Sequence, residues 1–499
     1  MENALKVYEN IVPDIMLGIL IKCLPCIIIL LLIAVIIIKV QKNSKMGALK
    51  TASREKACGI IFGMILTLTG PKVIYSPIDD EGSVLVWGTS GSGKTDGILR
   101  PTINSLQDAA TTFCIDISGD IVSTIKIKKK IVFGPNAENS AAYNVFFPVD
   151  IININSHLSD EEKQGKIIEQ LDKIASQIIP LMKDGEEQGA VVFFNNGGNA
   201  IIKASLIAGY YKGLDFADIT VLIFKNNYEQ HSQWIKSCGI EIASDLIEQY
   251  DSIKEEQRAG CMNTAKTAIS CIASSYKIQK FLHRPRKING KTEPYYTPKM
   301  LETHSVFYVV NDGTDFDLYA PLTRLVVSQT MEYLQTRDTK KNKHTILLTL
   351  DEYSSLSIAK ETTAAAKKYR KKSVRLLVLT QSTADMDLMT REGNTASRAI
   401  IDNFPYRMIL GAQDPKSQLY FAECVGKHDV TDGGFQNTPS RTSREFWIQP
   451  EDFGRLDKHL VLIHPKGHMV LGKNYYHKSM KKIISDAISD FSIFKWGIH

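Results

Sequence analysis

Eight residues limit what this chain can fold into more than any others. Gly88-Thr89-Ser90-Gly91-Ser92-Gly93-Lys94-Thr95 fits G-x-x-x-x-G-K-[ST] and follows the apolar run Ser83-Val84-Leu85-Val86-Trp87. A strand feeding a glycine-rich loop that opens a helix turns backbone N–H groups onto phosphate oxygens, and the helix N-terminus adds partial positive charge. Gly88 and Gly93 allow backbone angles and close approach that a Cβ would block. Lys94 is suited to the β- and γ-phosphates, and the Thr95 hydroxyl to Mg²⁺. The loop therefore predicts an α/β fold with an ATP site built from Gly88 to Thr95.

The rest of the chain is organised around that loop. At 499 residues it exceeds one ordinary core, so more than one domain is expected. A net charge of +6, from 60 basic and 54 acidic residues, is mild; only local clusters can argue for a polyanionic partner. The eight cysteines lack the spacing of a disulfide framework, which fits a reducing compartment. Cys23 and Cys26 form a C-x-x-C inside the most apolar stretch, where no thiolate is stabilised.

That stretch, Ile15 to Ile38, carries Lys22 as its only charge and is long enough to span a bilayer. Glu2, Glu9 and Asp14 ahead of it speak against a cleaved signal peptide. Lys39, Lys42, Lys45, Lys50, Arg54 and Lys56 follow it, so the expected topology is a single-pass anchor in the cell (inner or plasma) membrane, with the bulk of the chain cytoplasmic. The next apolar run, Gly59 to Leu68, is too short to cross and reads as strands.

Thr111 to Asp116 has a buried-strand pattern, and Asp116 at its end faces two readings, a ligand site or a helix cap. From about Leu158 to Arg286 helical spacing takes over, as in Ile167, Leu171, Ile174 and Ile178. This predicts an all-α insertion between two strands, closing in the basic loop Lys280 to Lys287. Strands resume at Ser305 to Val310. The strand Thr345 to Leu350 then ends in Asp351-Glu352. Downstream of a phosphate loop, Asp351 is expected to associate with the metal, and Glu352 to act as catalytic base on the attacking water. The helix after the pair ends in Lys367-Lys368-Tyr369-Arg370-Lys371-Lys372, cations that suit a helix C-terminus. A sharper reading sends Arg370 to a neighbouring subunit's γ-phosphate and the lysines to nucleic-acid phosphates. Gln381 ends the next strand as a sensor of the γ-phosphate. His459, His464 and His468 have no cysteine partner at zinc-ligand spacing.

Taken in order, these parts resemble the type IV secretion coupling proteins, the TraG/TraD-like conjugative DNA transfer ATPases related to RecA-like and FtsK/HerA motors. The likeness runs from about Met46 to Tyr476. It rests on the phosphate loop with Pro101 and Asn104, Tyr143-Asn144 ahead of the insertion, and Ala320-Pro321-Leu322-Thr323-Arg324. Asp351-Glu352, Gln381-Ser382, Ser443-Arg444 and Ile463-His464-Pro465-Lys466-Gly467 complete the set. The resemblance implies a RecA-like nucleotide-binding domain, a homo-hexamer, ATP and Mg²⁺ as cofactors, and Arg370 acting across the subunit boundary. Its implied partners are single-stranded DNA with an attached relaxase, and type IV secretion channel proteins. Two departures stand out: Asp116-Ile117-Ser118-Gly119-Asp120 replaces the family's Asp-Pro-Lys-Gly-Glu, and one membrane span is evident where many relatives have two.

The expected organisation is a short extracytoplasmic segment (1–14), an anchor (15–40), the first part of the nucleotide-binding domain (41–157), an all-α insertion (158–290) and the second part (291–499). Two rivals are an FtsK/HerA-like double-stranded DNA translocase, which does not need the insertion, and a nucleotide-gated cargo receptor with little turnover, which does not need Glu352.

Overall fold

A computed structural model describes residues 48–67, 69–117, 119–182, 189–310, 316–351, 368–384, 394–432 and 441–474. The predicted anchor at Ile15 to Ile38 lies outside them. No helix among the described residues is long and apolar enough to cross a membrane.

The described residues open with three antiparallel strands, β1 (Lys50–Ala52), β2 (Gly59–Thr67) and β3 (Gly70–Pro77). The apolar run at Gly59 is therefore strand, as expected. Next come β4 (Val84–Trp87), the phosphate loop, and a π-helical turn (Lys94–Leu99) that runs into α1 (Arg100–Leu106). Pro101 at the start of α1 offers no N–H to the preceding turn, which accounts for the wider winding there. β5 (Ala110–Asp116), α2 (Asp120–Thr124), β6 (Lys130–Phe133) and β7 (Ala142–Tyr143) follow.

Among the described residues eight helices then come in succession: α3 (Phe147–Asn153), α4 (Asp160–Ile178), α5 (Gly189–Tyr211), α6 (Phe216–Lys225), α7 (Tyr228–Ser237), α8 (Glu241–Asp251), α9 (Glu255–Ser274) and α10 (Tyr276–Gln279). Their starts are written in the sequence. Ser159 and Glu162 form a reciprocal capping box ahead of α4, and Asn227 and Gln230 do the same for α7. Ile167, Leu171, Ile174 and Ile178 form the buried stripe of α4. The chain returns through β8 (Lys287–Ile288), β9 (Lys291–Thr292) and β10 (Tyr295–Tyr296), which pairs with β7. Strand β11 (Ser305–Val309), α11 (Phe316–Thr336), β12 (Thr345–Leu350) and β13 (Val374–Thr380) lead to α12 (Asn394–Ile401) and β14 (Tyr406–Ile409). After α13 (Pro415–Val425) the hairpin β15 (Lys427–Asp432) and β16 (Arg441–Phe446) precedes β17 (His459–His464) and β18 (Gly467–Gly472).

Twelve of these strands form one mixed sheet in the order β1-β3-β2-β18-β17-β14-β4-β13-β12-β5-β11-β6. The segment from β14 to β6 is parallel, and the remainder is antiparallel. Strands β4 and β13 are buried along their whole length, as parallel strands covered on both faces must be. One core joins the sheet face carrying Leu85, Phe113 and Tyr308 to the helices through Phe146, Ile207 and Ile272. The second core, on the opposite face, holds Ile98, Leu99 and Ile103 against β2, β14 and β17.

Candidate phosphate-loop site

In a parallel sheet every strand ends on the same edge, so residues far apart in sequence meet there. Trp87 at the end of β4 is level with Thr380 of β13, and β12 lies beside β13 with Leu350 opposite Val378. Asp351, Gln381 and the loop from Gly88 to Thr95 therefore share one edge. Gly88 N–H donates to Thr380 O at 3.2 Å, tying the loop to the strand that carries Gln381. Gly91 and Gly93 have φ of 73° and 92°, the left-handed region that a nest of converging N–H groups requires.

Lys94 is buried, and its Nζ donates to Gly88 O at 2.6 Å and Thr89 O at 3.2 Å. Thr95 Oγ1 donates to Asp351 Oδ2 at 3.4 Å across 256 positions of sequence. Ser92 Oγ is buried without a hydrogen-bond partner. An ammonium group, a glycine nest and an orphaned hydroxyl make a donor set that fits a polyphosphate, and a hydroxyl beside a carboxylate fits a hard divalent cation. The residues present thus match the groups the sequence predicts. Glu352 lies outside the described residues.

Two packing contacts hold the loop. Behind it, Trp87 meets Phe421 of α13 with ring centroids 5.1 Å apart. Below it, a Cβ on Gly97 would sit 2.8 Å from Asn474 O, so the first turn after the loop fits against the end of β18 only because this residue is glycine.

Arg370 is not brought to this group. It lies in a 3₁₀ turn (Arg370–Lys372) ahead of β13, on the opposite edge, where its Nε donates to Glu81. The seven residues of β13, at about 3.3 Å each, set the two edges roughly 20 Å apart. Asp116, buried at the end of β5, accepts from the N–H groups of Gly119 and Val122 at 2.9 Å each and so caps α2. Burial raises its pKa despite those donors. Of its two readings, the structure bears out the helix cap. In the basic loop after α10, Arg284 bonds Leu214 O at 2.8 Å and Asp215 at 3.2 Å, and lies over the rings of Phe146 and Tyr210. It fastens the loop to the helices.

Sequence reading did not single out two buried arginines. Arg375 on β13 bonds Gly82 O, Pro77 O and Ser76 Oγ, fixing the segment from which β4 starts; burial lowers its pKa to about 10. A lone cation within an otherwise apolar strand was the available signal. Arg337 at the end of α11 clasps Glu302 with two 2.8 Å bonds, and also donates to His344 O and Lys372 O at 2.8 Å. Nothing in its local sequence marks it.

The model of the type IV secretory system conjugative DNA transfer family matches residues 42–481. No curated protein matches the chain in sequence. The fold is similar to that of the unbound monoclinic form of the bacterial conjugative coupling protein TrwBdeltaN70, with a TM-score of 0.62 at 16% identity, covering 85% of this chain and 91% of that one. TrwB in complex with ADP and Mg²⁺ gives 0.61 at 15% identity, covering 81% and 87%. TrwB with the non-hydrolysable GTP analogue GDPNP gives 0.60 at 16% identity, covering 81% and 88%. With the family model spanning most of its length, the chain belongs to the type IV secretory system conjugative DNA transfer family.

Proposed function

We propose that this protein is a membrane-anchored coupling ATPase that recruits a relaxase-bound single-stranded DNA and drives it through a type IV secretion channel by ATP hydrolysis. The observation that carries the reading is the approach of Thr95 Oγ1 to Asp351 Oδ2 at the mouth of the phosphate loop. The ADP, Mg²⁺ and analogue complexes of TrwB support it. The segments 15–40, 41–157, 158–290 and 291–499 serve as anchor, first half of the motor, cargo-recruiting insertion and second half.

In this mechanism Lys94 exchanges the carbonyls of Gly88 and Thr89 for phosphate oxygens, so the charge developing between the β- and γ-phosphates meets an ammonium already aimed at the loop. Thr95 and Asp351 would hold Mg²⁺, which would supply neutralisation of phosphate charge. Glu352 orients the attacking water and takes its proton, and Gln381 senses the γ-phosphate. Arg370 comes from the next copy in a homo-hexamer, because the sheet separates it from the loop of its own chain. Lys94→Ala is expected to lower DNA-stimulated hydrolysis by about 100-fold or more, and Glu352→Gln by about 100-fold or more, with the fold intact by circular dichroism. Full turnover in either variant would end the assignment.

A further inference from the structure

Besides Arg370, the edge of the sheet opposite the phosphate loop carries a row of lysines that the nucleotide site does not use. We propose that this strand-start edge is a second binding surface, a ridge of lysines that takes the phosphate backbone of a nucleic acid. It rests on the proposed DNA cargo and not on the chemistry at the loop. Parallel topology brings four segments distant in sequence onto one edge, ahead of β6, β11, β12 and β13, with the start of β5 between the second and third. They present Lys128 and Lys129, then Lys299, then Lys341 and Lys343, then Lys371, all exposed. None of these six forms an ion pair with a described residue.

The segments are joined into a frame. Ser305 N–H donates to Lys129 O at 3.0 Å, and the His344 ring meets Leu301 O at 3.2 Å. Arg337 bonds His344 O and Lys372 O, and Lys372 Nζ answers by donating to Arg337 O at 2.8 Å. At about 4.8 Å between neighbouring strands, the ridge from β6 to β13 is roughly 19 Å long. Four carboxylates stand at these strand starts or against them, and one of them, Glu81, is taken up by Arg370. Glu302 is taken up by Arg337, which leaves Asp338 and Asp108 against the lysines. A chain of net charge +6 thus concentrates cations on one narrow edge.

Two other polyanions compete for such a surface. An anionic membrane is normally met by cations together with inserted apolar side chains, and no large exposed hydrophobic residue among the described residues stands on these segments. In the proposed ring the loop-bearing edge of the next copy meets this edge at its β13 end, where Arg370 stands, and the carboxylates there, Asp96, Asp116, Asp120 and Asp351, are already engaged in caps and pairs; the lysines ahead of β6, β11 and β12 are left for another polyanion. A regular polyphosphate backbone suits the ridge best.

The test compares the full-length chain with the triple variant Lys128→Gln, Lys129→Gln and Lys341→Gln. Binding of fluorescein-labelled oligo-dT is followed by anisotropy across a salt series. Removing three phosphate contacts should lower the slope of log affinity against log salt by about 2. ATP affinity, DNA-free hydrolysis and self-association by sedimentation velocity should stay unchanged. Wild-type affinity and slope in the variant would overturn the ridge while leaving the DNA reading intact. So would loss of binding to phosphatidylglycerol vesicles with oligo-dT binding retained, or a DNA defect that appears only because the variant fails to self-associate. Failure of the wild-type chain itself to bind oligo-dT would remove the DNA reading and the ridge together.

Discussion

His231 shows how much a single side chain can be committed to one protonation state. It is buried on α7, its Nε2 is 2.7 Å from Ser205 Oγ, and its Nδ1 has no partner. Burial, with a smaller push from Lys266, lowers its pKa to about 4. The unfolded chain, with an ordinary histidine near 6.5, therefore binds this proton first as pH falls. Stability contributed by the neutral ring is complete above pH 6.5 and is lost progressively down to pH 4, by about 3 kcal/mol in all. His231→Gln, which removes the titration and keeps a donor toward Ser205, should narrow the difference in urea stability between pH 7 and pH 5 by about 2 kcal/mol. An unchanged difference would mean that other groups carry the pH dependence. At this scale the sequence was legible where chemistry is written into a local pattern, as in Lys94, Thr95 and Asp351. It was silent on His231, Arg337 and Ser205, whose roles come from burial among partners far along the chain.

Among the elements, the turn before β13 depends on a buried ion pair. The Arg337 side chain is fully buried, and its bonds to Glu302, His344 O and Lys372 O clasp the end of α11 to the starts of β12 and β13. Tyr369, buried beside Arg370, adds a bond to Met331 O at 3.2 Å. Arg337→Met leaves the Glu302 carboxylate without its guanidinium, facing only the Tyr333 hydroxyl and the His344 ring, and should cost about 3–5 kcal/mol in denaturant unfolding. Adding Glu302→Leu should recover much of that loss; a double variant as unstable as the single would show that the carbonyl contacts, rather than the charge pair, hold the turn. Element types were readable from apolar period: β4, β5, β12 and β13 stand where buried runs predicted strands, and α4 where the 3.6 spacing predicted a helix. The pairing of β18 with β2 was not, because it joins opposite ends of the described chain and leaves no local trace.

For the whole molecule, the decisive fact is that the loop and Arg370 occupy opposite edges of one sheet. If each site is completed by a neighbour, a defect in Lys94 and a defect in Arg370 reside in different halves of the same site. Mixing Lys94→Ala and Arg370→Ala chains in equal amounts should then restore activity at roughly one quarter of the interfaces of a random ring, although each variant alone is inactive. ATPase activity of the mixture no higher than that of either variant would place both residues in one subunit's site.

The join between β18 and β2 has a further consequence during synthesis. β2 ends at Thr67, and the strand that completes its other edge begins at Gly467. At about 5–20 residues per second, the ribosome leaves that edge unpaired for roughly 20–80 s. Over the same interval the turn that follows the phosphate loop lacks the Asn474 carbonyl on which Gly97 rests. The nascent chain is therefore an open sheet needing protection from edge pairing, and its nucleotide pocket gains full support only once Asn474 has been made.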